Sequence, residues 1–210
     1  MRLETVHVFV FDTLSDWEPS YAVTGINNPM FQLQPGRYAV KTVGESTKPV
    51  KTMGGITVLP DMALDALTPA DSAMLILPGG ITWDRGKHVD AVTKAREFLD
   101  AGVPVAAICG ATAALARGGL LDARRHTSNM REYLKATGYR GESLYVDEPA
   151  VNDDLVITAG GLAPVEFAYQ IFKQLDVFSA PTLEAWLQLL KTGDPSHYLA
   201  LMKSAARQVG

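Results

Sequence analysis

The sequence predicts an α/β protein: an open, mostly parallel sheet with helices on both faces, followed by a C-terminal helical extension. Three observations carry this reading. The runs "TVHVFVFD" (5–12), "SAMLILPGG" (72–80) and "VPVAAIC" (103–109) are apolar or β-branched without polar alternation, as strands buried on both faces require. Segments with apolar residues at helical spacing, such as "AVTKAREFLDAG" (91–102), lie between them. The connections are short, the pattern of strand–helix–strand units wound onto one sheet.

Taken in order, 5–12 is a central strand. In "TLSDWEPSYAVTGINN" turn formers precede Pro19, which is tolerated in a first helical turn, so a helix starts between Asp16 and Pro19 with Glu18 beside the end of that strand. "YAVKTVGE" (38–45) is a second strand, and "KPVKTMGGITVLPDMAL" a hairpin excursion around Gly54 and Gly55. The strand 72–80 ends in the pair Gly79 and Gly80, and the helix 91–102 stops at Gly102. "VPVAAIC" is the next strand and "GATAALARGGL" its helix. "YVDEPAVNDDLVITAGG" forms two short strands around the turn Asn152 to Asp154, and "APVEFAYQIFKQL" a helix apolar on one side. The remainder, "APTLEAWLQLLKTGDPSHYLALMKSAARQVG", holds two amphipathic helices separated by Gly193 to Pro195. The expected division is an α/β domain over 1–178 and an extension over 179–210, packed on the same domain or on a second subunit.

Composition narrows the function. The 210 residues, 47% of them hydrophobic, suffice for one full core. A net charge of -4 with 20% charged residues provides no basic stripe, which argues against a nucleic-acid partner. No apolar run reaches the roughly 18 residues of a membrane span and no leader pattern is present, so a soluble, cytoplasmic protein is expected. One cysteine forms no internal disulfide and suits a reducing compartment, and four scattered histidines show no zinc-ligand spacing, so neither metal nor cofactor is expected.

That cysteine, Cys109, stands at the junction of a strand and a helix. In open parallel sheets ligands gather outside the carboxyl ends of the strands. A side chain at such a tight turn is thrust outward, and its neighbours Ala107, Gly110 and Ala111 are small, as a nucleophile elbow needs. The helix N-terminus favours thiolate, so a pKa below the free value of about 8.5 is expected. Gly79 and Gly80 end a strand at the same edge, where backbone N–H groups can hold an oxyanion. Glu18 reaches the same crevice as a hydrogen-bond partner of the sulfur or as a general acid or base. His126, seventeen residues beyond Cys109, follows one helix and a turn, enough to return to this end of the sheet. No role is read for His7, His88 or His197, with a position overhanging the site left open for His88 in the loop after Gly80, and Asp84 and Arg85 in that loop read as solvated charges, with substrate contact as the alternative.

The combination of "SDWEP", "LILPGG", "AAICGATAALARGGLLDARRHTSN" and "ITAGGLAPVEFAYQI" resembles the ThiJ/PfpI superfamily, whose relatives share the class I glutamine-amidotransferase-like, flavodoxin-like fold. The resemblance runs from Val6 to Leu175. It implies a nucleophilic cysteine at Cys109, an acidic partner at Glu18, a histidine at His126 and a backbone donor at Gly80 beside Gly79. It also implies a homodimer acting on a small molecule, within a family that includes glyoxalase or deglycase, peptidase or amidase, isonitrile-hydrating, chaperone and stress-sensing members. The departures prune this range. Ala107 and Ala111 replace the glycines around the cysteine of glutamine amidotransferases, and Thr127 and Ser128 follow His126 where those enzymes have a glutamate. Gly110 stands where PfpI-type peptidases have a histidine, and where isonitrile hydratases have a threonine.

Two functions follow. The first is a cofactor-independent cysteine hydrolase or lyase for a small carbonyl or amide: Cys109 attacks, N–H groups around Gly80 and Gly110 hold the oxyanion, and Glu18 or His126 moves the proton. The second is a redox sensor or stress-protective protein in which Cys109, lacking a resolving cysteine, is oxidised to a sulfinic acid stabilised by Glu18.

Overall fold

The apolar runs become the centre of a seven-stranded sheet. The structure, a computed structural model, describes residues 3–206; the last four residues of the expected extension, 207–210, lie outside them. In chain order the elements are β1 (Glu4–Phe9), α1 (Trp17–Asn27), β2 (Tyr38–Gly44), the hairpin of β3 (Val50–Lys51) and β4 (Thr57–Val58), β5 (Met62–Ala63), β6 (Met74–Leu77), α2 (Val89–Asp100), β7 (Val105–Ile108), α3 (Gly110–Arg117), α4 (Arg131–Lys135), β8 (Ala150–Asp153), β9 (Val156–Ala159), α5 (Pro164–Gln174), α6 (Ala180–Thr192) and α7 (Pro195–Ala206).

The sheet order is β5-β2-β1-β6-β7-β9-β8, parallel except for the antiparallel edge pair β8 and β9. This is the flavodoxin-like arrangement. Every side chain of β6 and β7 is buried, which explains why their sequences lack alternation. The register sets Leu77 beside Ala107 and Ile108 beside Ala159, so the chain leaves β6, β7 and β9 at one edge and delivers Gly79, Cys109 and Gly161 to it.

One strand end and two short elements stand out against expectation. The first strand ends at Phe9 rather than residue 12, because the chain turns at Thr13 (φ 75) and crosses to Gly80, with which Leu14 forms an isolated bridge. The stretch read as one hairpin excursion also contains β5, an edge strand two residues long. Helix α4, five residues long, was not expected, being too short to show a period.

The extension packs on its own domain through α6. Trp186 meets Phe172 of α5 edge-on at 5.1 Å and Tyr21 of α1 at 6.1 Å. Ser179 caps α6 by accepting from the Thr182 N–H, and Gly193, left-handed at φ 69, closes it. Among the described residues no helix is long and apolar enough to cross a membrane.

Candidate active site

Cys109 sits between β7 and α3 with φ 56 and ψ -123, a backbone conformation that costs a non-glycine residue about 1–3 kcal/mol. The surroundings hold it there. Its N–H donates to Ala159 O (3.0 Å), and its carbonyl accepts from the Thr112 N–H (3.1 Å) and hydroxyl (2.6 Å). The Thr112 hydroxyl also meets that of Ser128 at 2.5 Å. Buried Ala111, Ala113 and Ala114 let α3 start directly beneath the elbow.

Glu18, in the first turn of α1, is 1% exposed and lies against the Cys109 thiol. Its Oε2 accepts from the Gly79 N–H at 2.5 Å. Two glycines make this closeness possible. A Cβ on Gly79 would lie 2.5 Å from Glu18 Oε2 and 2.6 Å from Cys109 Cβ, and one on Gly161 would lie 2.9 Å from Sγ. Ordinary contacts are about 3.5–4.0 Å.

Three further residues, Asn129, Gly161 and Trp17, complete the wall, and sequence reasoning missed all three. The Asn129 side chain donates to Sγ (3.5 Å) and accepts from the Gly161 N–H (2.8 Å). The half-exposed indole of Trp17 donates to Gly161 O at 3.3 Å. Behind Asn129 and Gly161 opens a cavity of about 500 Å3, lined also by Ser128, Tyr145, Asp147 and Glu148. The available signal was local: Asn129 ends "RRHTSN" and Gly161 ends "ITAGG", each in a loop at the carboxyl end of the sheet.

The thiol's protonation differs from expectation. Burial pushes Cys109 up to about 11, the adjacent Glu18 carboxylate adds to the rise, and the Asn129 amide and Gly110 N–H oppose it only in part. The helix N-terminus is thus outweighed by burial and by a like charge. Burial also raises Glu18, against the Gly79, Cys109 and Ser15 hydrogen bonds. The influence runs one way: the Glu18 carboxylate holds the proton on the thiol, whereas Cys109 lowers Glu18, and with Glu18 neutral the charge that disfavours thiolate is gone.

The remaining expected residues divide. The Gly110 N–H faces the sulfur. Gly79 donates to Glu18, so its N–H is not available to an oxyanion, whereas the Gly80 N–H has no acceptor among the described residues. Asp84 is an exposed loop charge, as expected, and the Tyr133 hydroxyl donates to it at 2.5 Å, tying its loop to α4.

His126 is not brought to the thiol by any hydrogen bond. Its ring is wholly buried, with Nδ1 on Arg124 O (2.7 Å) and Nε2 on the Tyr139 hydroxyl (2.9 Å). The seventeen-residue spacing carries no signal of these partners. His126→Ala is expected to cost about 1–3 kcal/mol by leaving those partners unpaired, and to leave the pH midpoint of Cys109 alkylation unchanged. Thermal unfolding and iodoacetamide labelling followed by mass check both, and a moved midpoint would return His126 to the site.

A strained cysteine at a strand-to-helix elbow, set against a buried carboxyl at the carboxyl edge of a flavodoxin-like sheet, defines a cysteine-type enzyme. The chain belongs to the DJ-1/PfpI family, whose model matches residues 4–174. It is 40% identical over 210 residues to the uncharacterized protease YoaZ of Bacillus subtilis, covering 99% of this chain and 100% of that one. It is 31% identical over 121 residues to protein/nucleic acid deglycase 2 of Escherichia coli, covering 57% of this chain and 68% of that one. The crystal structure of a thiJ/pfpI family protein from Bacillus anthracis superposes with a TM-score of 0.90 at 42% identity, covering 97% of this chain and 98% of that one.

Proposed function

We propose that the chain is a cofactor-independent, Cys109-dependent hydrolase or lyase for a small carbonyl or amide, with a 2-oxoaldehyde as the substrate that asks least of the site. The observation that carries this is the Glu18–Cys109 pair: a nucleophile and a protonatable carboxyl in contact, both raised by burial. The sulfur adds to the aldehyde carbon, the carbonyl electrons move to oxygen, and the thiol proton passes through Glu18 to that oxygen. Glu18 then moves a proton from the first carbon to the second while the hydroxyl proton on the first carbon's oxygen passes to the second carbon's oxygen, leaving a thioester that water cleaves to a 2-hydroxy acid and the free thiol, with no net oxidation. The Gly80 and Gly110 N–H groups are the donors available to the developing charge.

The test is turnover of methylglyoxal to lactate, beside a panel of small amides, by the wild type and by Cys109→Ser. Turnover by the wild type that falls to background in the variant is expected. Equal rates in both would sink the proposal.

The same carboxyl favours a second reading, because burial raises it and, once protonated, it donates to a sulfinate oxygen on Cys109. A discrete gain of two oxygens at low peroxide, without turnover of any carbonyl or amide, would favour it. We carry the homodimer implied by the family as part of the proposal, and sedimentation velocity that finds a monomer removes it.

A further inference from the structure

Next to the elbow, but outside the residues assigned above, a carboxylate, an imidazole and a hydroxyl stand in series. Glu45 Oε1, just beyond β2, is 2.6 Å from His88 Nδ1, and His88 Nε2 is 2.7 Å from Thr82 Oγ1. His88 and Thr82 are both buried. The imidazole lies among three aromatic rings, 4.4 Å from Phe11, 4.9 Å from Trp83 and 5.4 Å from Phe9 between centroids. A ring with two polar nitrogens is stable in such a box only when both are hydrogen-bonded, as they are here. His88 also holds φ 65, a left-handed conformation that favours glycine, so the backbone is bent to place this ring.

The series ends on the turn that carries the free Gly80 N–H. Thr82 Oγ1 approaches Thr13 Oγ1 (3.4 Å) and Asp12 O (3.5 Å). That strap runs on through the Leu14 and Gly80 bridge, and its Ser15 N–H donates to Gly79 O at 3.0 Å. Two rings of the box touch the glycines themselves: a Cβ on Gly80 would lie 2.7 Å from Phe11 Cε2, and one on Gly110 would lie 3.2 Å from Trp83 Cβ. The Trp83 indole N–H donates to Pro78 O at 2.8 Å, just before the turn.

We propose that His88 is a positioning residue for the oxyanion donors: anchored by Glu45, it fixes Thr82 and the aromatic box, and through them the Gly79–Gly80 turn over Cys109. The inference rests on the reading of Gly80 as a donor to a carbonyl-derived oxyanion.

Two reagents separate positioning from general damage. Iodoacetamide is attacked at a saturated carbon and forms no oxyanion, whereas p-nitrophenyl acetate acetylates the sulfur through a tetrahedral oxyanion and releases nitrophenolate. Thr82→Val keeps the shape and removes the hydroxyl. It is expected to slow acetylation about 10–100-fold, the scale of a displaced oxyanion donor, with alkylation unchanged. Thr82→Ser is expected to restore acetylation, and His88→Phe, which leaves a ring in the box without its hydrogen bonds, to show the same selective loss as Thr82→Val. Should His88→Phe not fold, the Thr82 pair carries the test. Acetylation of Thr82→Val at the wild-type rate, or a parallel loss in both reactions, overturns the inference. A wild type that is alkylated but never acetylated overturns the functional reading beneath it, and the inference with it.

Discussion

Gly79→Ala is expected to silence the site in a chain that still folds. The added Cβ would stand 2.5 Å from Glu18 Oε2 and 2.6 Å from Cys109 Cβ, and neither atom is the free end of a mobile side chain. Glu18 is held in the first turn of α1, and Cys109 Cβ is bonded to a backbone pinned by Ala159 and Thr112. The clash is relieved only by breaking the Gly79 N–H to Glu18 bond or by moving the elbow. Shifts near 1 Å in a reacting pair cost about 100-fold, so turnover should fall at least that far. Overpacking of this kind costs about 1–3 kcal/mol, or roughly 2–4 °C of Tm for each kcal/mol in a chain of this size. Gly36→Ala is the control: it adds a Cβ with nothing within 4 Å, at a positive φ of 76 that Gly79 does not have, so it carries a backbone cost without the clash and should spare turnover. Wild-type turnover and alkylation in Gly79→Ala would mean that the close packing of Gly79, Glu18 and Cys109 is not needed for chemistry.

What the sequence revealed and what it hid follow from the range of the forces involved. β6 and β7 were legible because burial on both faces leaves an unbroken apolar run, and Cys109 and Glu18 because strand ends in a parallel sheet define where ligands go. β5 and α4 were not, since two and five residues carry no period. Asn129 and Gly161 come from separate loops and reach Sγ only after β7 and β9 pair. The direction of the thiol's pKa was misread for the same reason. The helix N-terminus is written locally, whereas burial and the Glu18 charge exist only in the folded chain. His88 is the clearest instance: in the sequence it is a loop histidine, and although Thr82 lies only six residues before it, Glu45 is brought to it from the end of β2 by the sheet order.

Glu18→Gln should separate the nucleophile from the catalyst. Glutamine keeps an oxygen for the Gly79 N–H and removes the negative charge that helps raise Cys109, so the midpoint of iodoacetamide labelling is expected at lower pH than in the wild type. Turnover should move the opposite way, falling about 100–10,000-fold, because an amide cannot carry the proton between sulfur, carbon and oxygen. Stability provides an independent reading with a definite sign. The folded carboxyl lies above its ordinary value of 4.5, so below that pH the folded and unfolded chains are both protonated and Glu18 contributes no slope. As pH rises past 4.5 the unfolded chain ionises first, and the wild type loses stability until the folded carboxyl ionises too. Glutamine removes that loss, so the Tm difference between variant and wild type should grow in the variant's favour above pH 4.5 and then level off. A labelling midpoint that rises in Glu18→Gln would show that the carboxyl sustains the thiolate in the wild type rather than opposing it, and the proton would then have to be placed on Glu18 throughout the working pH range.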